Sequence, residues 1–98
     1  MARFDVCRLT DGTLVLDVQA DLLNDLRTRI VVTLMKRAKA PKPARHLNPV
    51  FDIDGEQLVI KTEFLSAVDR SVLGPPITNL ASHSFDATRA LDMAFQGF

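Results

Sequence analysis

Two Asp-Gly pairs, at 11–12 and 54–55, constrain the fold of this chain more than any other feature of its sequence. A two-residue type I′ turn needs a positive φ at both central positions, and Asp-Gly is one of the few pairs that adopts this conformation readily. Each pair is flanked by short segments in which apolar residues recur with a period of two, the pattern of a β-strand. The sequence therefore predicts two β-hairpins with type I′ turns.

The first hairpin is predicted to pair Phe4 to Leu9 with Thr13 to Val18, where alternation of apolar and polar positions indicates a half-buried strand. The second hairpin joins a strand with Phe51 and Ile53 on one face to a return strand with Leu58 and Ile60 on one face. Both therefore contribute one apolar face to a common core.

The segment between the hairpins, Ile30 to Met35, is apolar on both faces, with Val32 and Leu34 on one and Val31 and Met35 on the other. An antiparallel sheet usually exposes one face to water. A strand that is apolar on both faces therefore indicates a barrel interior backed by a second layer or by a partner.

The period changes near the C-terminus, where Ala87, Leu91 and Phe95 recur at helical spacing. We expect a helix from about Ser84, which can cap it, to Phe95. Gly97 follows at a position where helices often end in the left-handed conformation. The sequence thus predicts a mainly β fold with one C-terminal α-helix.

Length and composition indicate one soluble domain, residues 1–98, with 47% apolar residues and a net charge of zero. A chain this short gains stability by burying more surface in a homodimer, which we expect here. A single cysteine, Cys7, is typical of a reducing compartment, and neither an export signal nor a membrane span is recognisable. These features predict a cytoplasmic protein without membrane partners.

One segment, Lys36 to Arg45, contains no acidic residue and is interrupted by prolines, so it is interpreted as an exposed basic loop. It is either a solvated loop or a binding surface. No aromatic residue that could stack on a base lies within it, which favours an acidic protein segment over nucleic acid as the partner. Its cations, the predicted binding residues, are Lys36, Arg37, Lys39, Lys42 and Arg45.

The sequence offers little of the chemistry that catalysis requires. Cys7 lies in a predicted strand, where a thiol is usually a core residue. His46 and His83 have no second ligand at metal spacing, and the acidic residues around Asp54 lack the pattern of a calcium loop. We therefore expect that the chain is not an enzyme and that it has no catalytic residue, metal site or cofactor.

A series of short pieces occurs in a recognisable order and spacing: Asp17 to Asp21, Val32-Thr33-Leu34, Leu47 with Pro49, Ile53 to Glu56, Thr62, Ala67-Val68, Ser71 to Gly74, Leu80, Ala90-Leu91 and Phe95 to Phe98. In their order and spacing these pieces resemble the CcdB family, the toxin components of bacterial toxin–antitoxin pairs. The resemblance implies a strongly bent antiparallel sheet of the SH3-like barrel type, with a small extra sheet, one C-terminal helix and a symmetric dimer.

Members of that family bind the A subunit of DNA gyrase and trap the cleaved gyrase–DNA complex, so the resemblance implies a toxin that acts as a wedge. The implied gyrase-binding residues are Gln96, Gly97 and Phe98. Gly97 matches the family pattern, and Phe98 stands where a large aliphatic residue is usual. Gln96 departs from it, because the family has a tryptophan there. A nontoxic or attenuated relative that only binds a partner protein is therefore an alternative.

The resemblance also implies a CcdA-like antitoxin, whose disordered, acid-containing segment folds on binding. The basic segment is the surface best charged to receive it. The tight turn at Asp11-Gly12 is shorter than the family's loop, which predicts a different antitoxin specificity. A second alternative is an endoribonuclease of the related MazF group, in which Arg29 with Thr28 would face RNA.

Overall fold

The computed structural model describes residues 2–40, 42–44, 46–53 and 55–97. Within them, six strands form one antiparallel sheet in the order β4-β5-β3-β2-β1-β6. The elements are β1 (Asp5–Arg8), β2 (Leu14–Asp17), β3 (Thr28–Lys36), β4 (Val50–Ile53), β5 (Glu56–Asp69), β6 (Thr78–Asn79) and α1 (Ser84–Gln96), with 3₁₀ turns at Asp21–Leu23, Arg37–Lys39, Arg70–Val72 and Ala81–His83.

The sheet bends where β3 and β5 lose register. Val31 pairs with Ser66, but Thr33 pairs with Lys61, so the residues numbered 62–65 of β5 lie opposite Val32 alone. Extra residues in one strand bend it and increase its twist. The bend curls the sheet into a half-barrel, which confirms the predicted fold class. The expected small extra sheet is not separate, because β4 joins the main sheet through β5.

Apolar side chains are buried on both faces of the sheet. The larger core includes Leu16, Val32 and Ile60, and the smaller one, on alternate positions, is formed by Cys7, Val15 and Val31. The two apolar faces predicted for β3 are therefore confirmed. The prediction that β2 is only half-buried was wrong, because Val15 and Asp17 are buried as well.

The first hairpin forms, but its turn differs from the predicted type. Only Gly12 of the Asp-Gly pair has a positive φ (91°). Gly12 N–H donates to Leu9 O at 2.9 Å, and Leu9 N–H donates to Thr13 O at 2.8 Å, which closes a three-residue turn with glycine in the left-handed position. In the second hairpin Ile53 pairs with Glu56 and Gly55 has φ 83°, whereas Asp54 lies outside the described residues.

Helix α1 begins at Ser84 as predicted but is not capped by it. A 3₁₀ turn runs directly into the helix, so His83 occupies the cap position and makes no side-chain capping bond. Ala87 and Ala90 are buried against the sheet, and Leu91 packs against the same core. No helix in the described part of the chain has the length and apolar character needed to cross a membrane.

Candidate functional site

The C-terminal end of α1 is an exposed tip. Gln96 is the last helical residue, and Gly97 follows in the left-handed conformation with φ 81°, donating its N–H to Met93 O at 3.0 Å. A Cβ atom at residue 97 would meet no atom within 4 Å beyond its chain neighbours, so glycine is suited to the backbone conformation there and is not required by a lack of space. Gln96 and Gly97 are both exposed, and Phe98 lies outside the described residues.

The apolar stripe of α1 continues past the sheet that its first turns cover. Ala94 is exposed and Phe95 is 72% exposed, although both follow the helical spacing of the buried alanines. Together with Leu47, Leu65 and Met93 they line a groove of about 520 Å³. Phe95 shares the helical spacing of Ala87 and Leu91 in the sequence, but the structure presents it next to the tip, on a surface suited to a protein partner.

The excursion of β5 opposite Val32 forms the other side of this surface. Phe64 lies at its crest and is 54% exposed. The excursion is held from below, because Thr62 Oγ1 donates to Leu47 O at 2.6 Å and Asn48 Nδ2 donates to Glu63 Oε1 at 2.7 Å. Phe64 is thus presented on a braced segment and not on a free loop.

The carboxylate of Glu63 remains ionised in this bracing network. Burial acts to raise the pKa of Glu63, but the hydrogen bonds from Asn48 and from Lys61, whose Nζ lies 3.0 Å from Glu63 Oε2, bring the pKa below its usual value. The negative charge also balances Lys61, which is 4% exposed.

The first residues of the basic segment form regular structure, where the sequence analysis predicted a loop. Lys36 ends β3, Arg37 and Lys39 lie in a 3₁₀ turn, and all three are exposed together with Lys42. Arg45 lies outside the described residues. Lys36 Nζ is 3.7 Å from Glu56 Oε1, an exposed ion pair that contributes little. A groove of about 450 Å³ lies between the second hairpin and the start of this segment, where Lys36, Arg37 and Ala38 line it.

Arg29 is not available to a ligand, which overturns the interpretation that it faces RNA. Its side chain is fully buried, with Nε donating to Asp17 Oδ2 at 2.8 Å and Nη1 donating to Asn24 Oδ1 at 2.7 Å. Nη2 also lies 2.7 Å from Asp17 Oδ2, off the axis of a hydrogen bond. Nothing in the local sequence indicates this pair, because both residues alternate with apolar neighbours as surface residues would.

Cys7 lies in the core as predicted, and burial raises the pKa of its thiol, which disfavours the reactive thiolate. His83 packs on Phe51 with ring centroids 4.5 Å apart. No group of three or more potential metal ligands lies together among the residues the structure describes.

A second exposed apolar patch was missed by the sequence analysis. Leu22 is 94% exposed, and Leu23 and Leu26, in the connection between β2 and β3, are about half exposed. The available signal was three leucines within five residues of a stretch too short for a stable helix, in which only a 3₁₀ turn forms.

Comparison with known families gives one result of wide coverage. A protein-family model described as CcdB protein matches residues 3–97 of the chain. The match spans all of the strands and the whole of α1, and it includes the tip residues Gln96 and Gly97. A comparison with curated proteins found no match. The resemblance recognised in the sequence is thereby confirmed.

Proposed function

Because the chain belongs to the CcdB family of toxins from toxin–antitoxin pairs, we propose that it binds the A subunit of DNA gyrase and traps the cleaved gyrase–DNA complex. The observation that carries the proposal is the exposed tip, in which Gln96 and Gly97 extend beyond the packed part of α1. Residues 1–98 act as one toxin domain, without a catalytic residue or cofactor, in the cytoplasm. Phe98 completes the gyrase-binding tip.

A homodimer places two tips side by side. The groove lined by Leu65, Met93 and Phe95, with Phe64 beside it, is the surface we assign to the second copy. Exposed phenylalanines of this size are costly in water, and burying them between two copies removes that cost. The position of the groove at the last turn of α1 supports this choice, because a dimer formed there brings the tips together.

The proposal is tested by mixing the purified chain with gyrase and supercoiled plasmid, followed by detergent denaturation. We expect gyrase-dependent linear DNA, and we expect the chain to sediment at about twice its mass of 10.9 kDa. A matched truncation lacking residues 96–98 should remain folded, because the residues that pack α1 on the sheet, Ala87 and Ala90, are retained. This truncation should trap no complex.

Three outcomes decide between the functions. Trapping by the full chain and not by the truncation supports the toxin. If the chain traps no complex at saturating concentration while its dimer is intact, the result supports the alternative of an attenuated relative. Gln96 would then account for the loss of trapping. Cleavage of RNA without gyrase would restore the ribonuclease alternative, for which Arg29 supplies no exposed guanidinium.

Neutralisation is the second part of the proposal. A CcdA-like antitoxin contributes an acidic segment, and the exposed cations of the basic segment are the complementary surface. Arg37, Lys39 and Lys42 have no carboxylate within 4.0 Å among the described residues, so their charges are not compensated locally. Arg45 is included in this proposed site on its sequence position alone.

Reversing three of these charges, in a Lys36→Glu, Arg37→Glu and Lys39→Glu variant, is expected to weaken binding of the antitoxin encoded beside this chain by about tenfold or more at low salt. The measurement is titration calorimetry at two salt concentrations. The matched control is the charge-preserving variant Lys36→Arg, Arg37→Lys and Lys39→Arg, which should bind as the unmodified chain does. Equal affinity of the reversed and preserved variants would remove this assignment.

A further inference from the structure

A side-chain contact joins α1 to the turn that follows the basic segment. Arg89 Nη2 lies 3.1 Å from His46 Nε2. His46 is half-buried and Arg89 is exposed on the outer side of α1. The two side chains, with Pro49, Val50 and Phe51 beneath them, line a cavity of about 220 Å³.

The chemistry of the two groups fixes which protonation state the contact requires. A guanidinium has five N–H donors and no acceptor, and it does not lose its proton in a protein. His46 Nε2 must therefore be the acceptor, which is possible only for the neutral imidazole with its proton on Nδ1. A protonated His46 has a donor on both nitrogens and would face Arg89 as a second cation.

The turn that carries His46 is firmly attached to the sheet. Ala44 N–H donates to Asn48 Oδ1 at 2.9 Å, and Asn48 N–H donates back to Ala44 O at 3.0 Å. Asn48 Nδ2 in turn donates to Ile60 O at 3.1 Å. His46 itself has φ 65°, a conformation in which histidine and asparagine are found more often than most residues. The imidazole is thus held on a braced turn, and α1 is the element that responds if the contact breaks.

Other charged and titratable groups surround the contact. Asp86, one turn before Arg89 on α1, lines the same cavity, and its carboxylate favours the protonated form of a nearby imidazole. The negative charge of Asp86 therefore acts on the imidazole in the opposite direction to the positive charge of Arg89, which favours the neutral form. His83, in the 3₁₀ turn before α1, stacks on Phe51 at the floor of the cavity.

We propose that the Arg89–His46 contact is a proton-sensitive tie between α1 and the turn that carries His46, closed when His46 is neutral and open when it is protonated. The tie joins the segment after the basic residues to the helix that carries the tip. If the proposed function holds, antitoxin bound to the basic segment and gyrase bound to the tip are coupled through this contact. The tie itself rests only on the geometry, and it is tested without either partner.

The test is a proton NMR titration of the intact chain between pH 5 and 8, followed at the imidazole signals. The chain has two histidines, so a His83→Gln variant identifies the signal of His46. We expect Arg89→Met, which removes both the charge and the donor, to raise the pH of half-protonation of His46 by about half a pH unit or more. Arg27→Met, which removes an exposed guanidinium elsewhere, is the matched control and should not shift it.

Amide hydrogen exchange reports the effect on the helix. Protection factors of α1 should fall about two- to tenfold between pH 7.5 and 5.5, the loss expected for one hydrogen bond. In His46→Asn, which tolerates the positive φ but does not titrate, protection should no longer change with pH. His83→Gln should retain the change. An unshifted His46 signal in Arg89→Met, or the same pH dependence of α1 in His46→Asn, would overturn the proposal, whatever the outcome of the gyrase assay.

Discussion

Replacing Arg29 by methionine is expected to lower the free energy of unfolding by about 3–5 kcal/mol, because Asp17 would remain buried without its charged partner. Both side chains are almost fully enclosed, and Nε of Arg29 donates to Asp17 Oδ2 at 2.8 Å. Methionine fills much of the same volume, so a cavity explains little of the loss. Urea unfolding followed by circular dichroism measures it, with Arg27→Met as an exposed control that should change the free energy of unfolding little.

The pH dependence separates loss of charge pairing from loss of packing. Burial raises the pKa of Asp17 above its usual value, and the hydrogen bonds from Arg29 and from Gln19 N–H only partly offset this. Without Arg29 the pKa should rise further. A raised folded pKa adds stability below the unfolded value of 3.8, and that stability is lost as the pH rises through the folded pKa. The deficit of Arg29→Met should therefore be larger at pH 7.5 than at pH 5.

A double variant gives the decisive comparison. In the unmodified chain Gln19 N–H donates to Asp17 Oδ1 at 3.0 Å, and the side-chain oxygen of Asp17→Asn can still accept this hydrogen bond. Combined with Arg29→Met, it removes both charges, so the double variant should be more stable at pH 7.5 than Arg29→Met alone. If the single variant loses less than 1 kcal/mol, or if the double variant is the less stable of the two, the charge pair does not have the role assigned to it.

Much of the sheet could be predicted from the sequence because its signals are local. Alternation of apolar residues in β3 gave both of its buried faces, and Gly97 gave the end of α1. The turn at Asp11-Gly12 was misjudged in detail because a dipeptide does not specify the loop length, which depends on the hydrogen bonds of Leu9 with Gly12 and Thr13. The cap at Ser84 failed because the preceding residues continue as a 3₁₀ turn.

The features that were missed depend on contacts between distant segments. Arg29 and Asp17 are 12 residues apart and lie on different strands, so nothing in their local sequence identifies them as a pair. The excursion of β5 that presents Phe64 arises from a change of register with β3, which no periodicity within β5 reveals. Phe95 has core spacing and is nevertheless exposed, because the helix extends beyond the sheet. The candidate surface near the tip therefore required the structure.

Replacing Gln96 by tryptophan is expected to increase affinity for the gyrase A subunit about a hundredfold, if the tip binds where the proposal places it. A buried indole at a protein interface commonly contributes a few kcal/mol more than a glutamine side chain, because it removes a large apolar area from water and can stack on a cation. A difference of about 2.7 kcal/mol corresponds to the hundredfold change. The position suits such a residue, since Gln96 is exposed at the end of α1 and a larger side chain there need not disturb the core.

The chain contains no tryptophan, so the new indole of Gln96→Trp also reports its own environment by fluorescence. Binding to the gyrase A subunit should shift its emission to shorter wavelength, and linear DNA should appear at a lower protein concentration than with the unmodified chain. The matched control is Phe85→Trp, which places an indole on the exposed start of the same helix, where Phe85 is 75% exposed. Equal affinities for the two variants, or burial of the indole in Phe85→Trp alone, would show that the end of α1 is not the gyrase-binding surface.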